Sequence, residues 1–152
     1  MKVQDVMSKE VGFCHSSDNL TKAVDIMWHK DCGVVPVVDD HNVVVGMITD
    51  RDISIAVGTQ DRKAAEIKAG EFCGGEVIAV DADDDLKDVL KKMRKNRIRR
   101  LPVTSQTGEL LGIISLNDLL LKTDENKKLT KKIVSTLIEI GKPRPILLRE
   151  VE

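Results

Sequence analysis

Two stretches of this chain carry the same pattern. GMITDRDI runs from Gly46 to Ile53 and GIISLNDL from Gly112 to Leu119, each passing from a glycine through apolar residues to a hydroxyl side chain with Asp three places on. Sliding the sequence by 66 positions also aligns Val11 with Val77, Asp18 with Asp84, Leu20 with Leu86, Met27 with Met93, and Pro36-Val37 with Pro102-Val103. No gap is needed from Glu10 to Ile53. A fixed internal period marks a duplicated structural unit. Whatever one half folds into, the other must repeat.

Each copy reads as strand, helix, strand, strand, helix. In the first, 11–15 predicts a short strand, and Asp18 is the expected cap of a helix in which Leu20, Ala23, Val24 and Met27 keep the i, i+3, i+4, i+7 spacing. The β-branched runs 34–39 and 43–48 flank Asp40-His41-Asn42, a hairpin signature, and a last helix starts near Thr49. The second copy repeats the order with strands at 76–80, 100–105 and 109–115 and helices from about Asp84 and near Ser115. Strands this continuously apolar are covered on both faces, so the halves are expected to pack on each other. The expected organisation is a first repeat at 1–60, a link at 61–70 with a turn or two of helix, and a second repeat at 71–122. A C-terminal helix and tail follow at 123–152, with Leu129, Ile133, Leu137 and Ile140 on one helical face, Gly141 ending it, and Pro143 and Pro145 forbidding its continuation. This last segment reads as a docking or dimer element.

Composition narrows the function. With 41% hydrophobic and 32% charged residues the chain is a globular protein, and a formal net charge of −1 excludes a molecule that binds polyanions over its whole surface. Anion recognition must be local. The apolar runs are too short to cross a membrane, and MKVQDVMSKE lacks the apolar core of a secretory signal. Cys14, Cys32 and Cys73 form no disulfide framework, which points to a reducing compartment and a cytoplasmic protein. With no Tyr, two Phe and one Trp, the core must be aliphatic and little is left to stack on bases.

Thr49-x-x-Asp52 and Ser115-x-x-Asp118 fit the capping box of a helix start. The same atoms support a second reading. A hydroxyl and free N–H groups at a helix N-terminus attract an anion, and a carboxylate one turn in accepts hydrogen bonds from paired hydroxyls such as those of a ribose.

Asp5-Val6-Met7-Ser8, the strands CGVVPVVD at 32–39 and IRRLPVTS at 98–105, and the two repeated endings together resemble a tandem pair of cystathionine-β-synthase (CBS) domains, a Bateman module, over roughly residues 1–122. The resemblance implies an α/β fold of two β-α-β-β-α repeats packed by pseudo-two-fold symmetry, with clefts between them for adenosine derivatives: AMP, ADP, ATP or S-adenosylmethionine. It implies a regulator and not an enzyme, with no required cofactor, pairing into a homodimer and acting on a protein partner. By the same resemblance Asp52 and Asp118 match the ribose-binding Asp, and Thr49 and Ser115 the hydroxyl near ribose or phosphate. The backbones of Val34, Val35 and Pro36, and of Arg100, Leu101 and Pro102, match the lining of the adenine pocket. The copies differ in charge: Arg51 faces Asn117 across the repeat, while Arg99 and Arg100 face Gly33 and Val34. Unequal clefts would hold phosphate unequally.

Other candidates have plainer readings. The basic run 91–100 suits a solvated helix end, then phosphate binding by Arg97, Arg99 or Arg100, and only then nucleic acid. The acidic run 81–85 lacks the Gly and Glu of a calcium loop. His29 and Cys32 are too few for zinc, and no nucleophile elbow or P-loop is present.

Overall fold

The computed structural model describes residues 1–123 and 125–143. The first repeat contains β1 (Cys14–His15), α1 (Leu20–Lys30), β2 (Val34–Val38), β3 (Val44–Thr49) and α2 (Asp50–Gln60). The second contains β4 (Val80–Asp81), α3 (Leu86–Asn96), β5 (Arg100–Thr104), β6 (Leu110–Ser115) and α4 (Leu116–Thr123), and α5 (Lys127–Gly141) follows. Each repeat builds one three-stranded sheet, β1-β2-β3 and β4-β5-β6, with a parallel first pair and an antiparallel second. The register irregularity recurs too, between Val37 and Val38 and between Val103 and Thr104. The hairpins meet at their tips, where the Val44 N–H donates to the Gly108 carbonyl and the Leu110 N–H to that of Asn42, both at 3.0 Å.

Two expectations need correction. The first strand is only Cys14–His15, with 11–13 outside the ladder, and its counterpart, expected at 76–80, is only Val80–Asp81, with 76–79 outside it. Asp18 does not cap α1; Asn19 does, accepting the Lys22 N–H at 3.3 Å. The Asp18 carboxylate instead folds back to the His15 N–H and binds Lys22 Nζ, each at 2.7 Å. Asp84 repeats this turn on the Asp81 N–H at 3.1 Å, so α3 begins two residues later than expected. An Asp before a helix can close the entering turn as well as the helix end, and sequence spacing does not separate the two.

The core of each repeat is completed by a segment from outside it. The short helical turn Val3–Asp5 packs on the second repeat: the Val3 N–H donates to the Asp84 carbonyl and the Gln4 N–H to that of Ala82, both at 3.0 Å. Val3 is fully buried among Val89, Met93, Leu101 and Ile114. The link forms two turns, Ala64–Glu66 and Ala69–Phe72, and packs on the first repeat, with Ile67 and Ala69 buried against Leu20, Val35 and Ile48.

These arms explain the repeated glycine. A Cβ on Gly112 would sit 2.6 Å from the Ser8 carbonyl oxygen, and one on Gly46 would sit 2.8 Å from Cys73 Sγ. Each arm crosses its strand over the glycine, with backbone against Gly112 and the tip of a side chain against Gly46.

Helix α5 is capped by Asn126, which accepts the Leu129 N–H at 3.1 Å, and it packs on α3 and α4. Its apolar stripe is not uniformly buried. Ile133 is fully enclosed and Leu129 and Ile140 lie against the second core, but Leu137 is 45% exposed. The expectation for the tail from residue 144 lies outside the described residues.

Candidate functional site

A cavity of about 710 Å³ opens between the halves, within the range of small-molecule sites. From the first repeat it is lined by Val34, Met47 and the start of α2, Thr49 to Asp52. Glu76 to Ile78 form another wall, the turn Arg97–Arg100 a third with Pro102, and Leu137, Ile140 and Gly141 of α5 a fourth. Val34, Val45, Met47, Phe72, Val77 and Ile98 supply much of its apolar lining. Polar character comes from Thr49, Arg51, Arg97, Arg99 and Arg100, facing the carboxylates of Asp50, Asp52 and Glu76.

The turn that carries these arginines has a local cause. Arg97 ends α3 in the left-handed conformation, φ 52°, with its N–H on the Arg94 carbonyl, and the chain reverses into β5. The Arg99 carbonyl then accepts the Leu116 N–H at 3.0 Å, as the Gly33 carbonyl accepts the Asp50 N–H at 3.2 Å. Each repeat thus ties its β-entry turn to its own last helix. Only the second places arginines there.

At the start of α2 the capping box is complete. Thr49 Oγ1 accepts the Asp52 N–H at 3.1 Å, and Asp52 Oδ2 accepts the Thr49 N–H at 2.8 Å. Asp50 Oδ1 accepts the Arg51 N–H at 2.9 Å. The first three N–H groups of α2 are therefore already bonded within the chain. This corrects the expectation of free backbone donors: cationic character in the cavity comes from guanidinium groups.

The second motif differs in one proton. Ser115 Oγ accepts the Asp118 N–H at 3.1 Å but also donates its own hydrogen to Asp118 Oδ2 at 2.6 Å. That Oδ2 also takes the Ser115 N–H at 2.8 Å. Among the described residues no such bond joins the Thr49 hydroxyl to Asp52. Among the described residues no hydrogen bond reaches Oδ1 of either Asp.

Of the residues singled out from the sequence, Thr49, Arg51, Asp52, Val34, Arg99, Arg100 and Pro102 meet in this one cavity, whereas Val35, Pro36, Leu101, Ser115 and Asp118 do not line it. Val35 and Leu101 point into the two cores, fully buried. Sequence reasoning missed Glu76 and the α5 wall. For Glu76 no signal existed. For Leu137 the amphipathic stripe was visible, but a stripe does not say which member faces a cavity.

The CBS domain family model matches residues 3–58 and 69–125. The chain is a pair of CBS domains. Among proteins similar to this CBS pair, the CBS domain-containing protein YhcV of Bacillus subtilis is 30% identical over 125 residues, 82% of this chain and 87% of that one. Hypoxic response protein 1 of Mycobacterium tuberculosis is 33% identical over 119 residues, 76% of this chain and 80% of that one. Among solved structures, the CBS domain pair of protein MJ0100 in complex with 5′-methylthioadenosine and S-adenosyl-L-methionine is similar at a TM-score of 0.73 and 27% identity, covering 84% of this chain and 98% of that one. No described helix of this CBS pair is long and apolar enough to cross a membrane.

Proposed function

We propose that this CBS pair is a non-catalytic sensor that binds a phosphorylated adenosine derivative in the cavity bounded by Thr49–Asp52 and Arg97–Arg100. The observation that carries this is the meeting of four arginines, Arg51, Arg97, Arg99 and Arg100, in one cavity whose lining is otherwise largely apolar apart from Thr49, Asp50, Asp52 and Glu76. A planar guanidinium forks onto phosphate oxygens. In this reading Asp52 takes ribose hydroxyls on Oδ1, Thr49 donates its hydroxyl hydrogen, and the backbone around Val34 and Arg100–Pro102 lies against the base. The arginines outnumber the carboxylates of Asp50, Asp52 and Glu76 in the lining, which favours a phosphorylated nucleoside over S-adenosylmethionine, which carries no phosphate. The adenosine compounds bound by the similar MJ0100 pair support the class of ligand. Ligand shifts the angle between repeats only by binding one arrangement better than the other.

Calorimetry with ATP, ADP, AMP and S-adenosylmethionine, and with GTP as control, tests this. One ATP per chain is expected, weakened by Asp52→Ala by ~1.5–3 kcal/mol, the range for a hydrogen bond to a charged group, and left unchanged by Asp118→Ala. Equal binding of ATP and GTP, or an unaffected Asp52→Ala, refutes the assignment.

A second reading treats the pair as an interaction module, with a homodimer or a regulated protein partner on its outer helices. It is favoured by Trp28 at 82% exposure on α1 and Leu121 at 81% on α4, since large exposed apolar residues mark interaction surfaces. Sedimentation of Trp28→Ser against the parent reads it: a dimer that survives the substitution does not use that face. Three free cysteines suit the reducing cytoplasm we assign to it.

A further inference from the structure

Granting a nucleotide in the cavity, on which this step rests, we propose that α5 belongs to the binding site, with Leu137 and Ile140 touching the occupant and binding seating the C-terminal end of the helix. The helix starts at Lys127, past the residues that the CBS family model matches, and nothing in the first repeat corresponds to it. Yet Leu137, Ile140 and Gly141 line the same cavity as Thr49–Asp52 and the turn Arg97–Arg100.

The helix is held at its middle. Ile133 is fully buried and Thr136 nearly so, while Leu137, one residue on, stays half exposed on the cavity wall. An apolar side chain in that position is stabilised when a ligand covers it.

Electrostatics link the same pieces. Glu139 binds Lys142 Nζ at 2.7 Å and lies 3.8 Å from Arg94. Lys142 first, then the fields of Arg94 and Arg97, hold its carboxyl below the usual carboxylate range. Arg97 lines the cavity, and its charge also acts on this carboxylate. An anion in the cavity draws on a cation that also acts on the last turn of α5. Occupancy is thereby read out at the end of the helix.

The test titrates the full chain with ATP by calorimetry, as the parent, Leu137→Ala, Leu137→Met and Val134→Ala, and follows amide exchange in α5 with and without ATP. Val134 is equally exposed on the same helix but does not line the cavity, so it reports any loss through helix stability alone. Leu137→Ala is expected to weaken ATP about 5- to 20-fold, from loss of apolar area covered by ligand. Leu137→Met and Val134→Ala stay within about twofold, and ATP slows exchange at 137–141. A parent that binds no ATP overturns the nucleotide reading and this one with it. A parent that binds ATP alongside a Leu137→Ala that binds equally well overturns this one alone. Tighter binding by Leu137→Ala also overturns it, because α5 would then be a plug that ligand must displace.

Discussion

The twin glycines make a quantitative case, because the obstacle differs in kind at the two positions. At Gly112 an added methyl meets the backbone oxygen of Ser8 at 2.6 Å. That oxygen also accepts the Ile113 N–H at 3.0 Å, while the Ser8 N–H donates to Ile113 at 2.9 Å. The arm must lift, losing two hydrogen bonds worth about 1 kcal/mol each net, with about 1–3 kcal/mol of overpacking wherever it cannot lift fully. Replacing a strand glycine returns about 0.5–1 kcal/mol. Gly112→Ala is therefore expected to cost about 2–4 kcal/mol, a fall in Tm of roughly 5–12 °C for a chain of this size. At Gly46 the nearest atom is Cys73 Sγ at 2.8 Å, the tip of a side chain, with backbone no nearer than 3.4 Å. There the sulfur turns away, and Gly46→Ala should cost less than about 1 kcal/mol. Urea denaturation followed by circular dichroism reads both as shifts in midpoint at constant slope. Cys73→Ala should relieve Gly46→Ala, whereas Met7→Ala should not relieve Gly112→Ala, since the obstacle there is main chain. Equal costs at the two glycines, or a rescue by Met7→Ala, would show that the arm is not pinned where the geometry places it.

Other outcomes follow from single contacts. Arg62 holds the Glu71 carboxyl down to about 2 from its ordinary 4.5, so the stability this pair lends is complete above pH 4.5 and is lost as the pH falls toward 2. Arg62→Gln should flatten that acid limb in a series of thermal melts. Burial first, then the Asp18 charge, raises the Cys14 thiol from 9.0 to about 11, and mass spectrometry after brief alkylation at pH 8 should find Cys32 modified well before Cys14. Thr49→Val removes the acceptor of the Asp52 N–H and should cost ~1 kcal/mol of stability. In Arg99→Gln, calorimetry should show weaker ATP binding with less dependence on salt.

Much of the architecture was legible because period and chemistry agreed. The offset of 66 set the order of elements, and β-branched runs with turn residues between them set the hairpins. The helix starts at Thr49 and Ser115 were legible because capping is local. What escaped was non-local. Asp18 and Asp84 look like caps in sequence and serve as turn acceptors in space. Nothing in the sequence said that Arg51 and the turn Arg97–Arg100 would share a cavity, since that depends on how two repeats face each other. Leu137 was legible as apolar and helical, but its place on a cavity wall is set by packing of α5 on α3 and α4.

The exchanged arms also govern when this chain can fold. Val3 and Ser8 are synthesised before either repeat, but their partners are Asp84 and Ile113. The first repeat has its own arm, 64–72, soon after its last helix, so its core can close while synthesis continues. The second core cannot close until strand β6 has appeared and segment 3–8 has returned across the finished half. Contacts this distant in sequence carry a loop-closure cost before they repay it. Assembly of the second repeat is therefore expected to be the slower step, and a chain cut ahead of Ala64 leaves each fragment holding the arm that the other one needs.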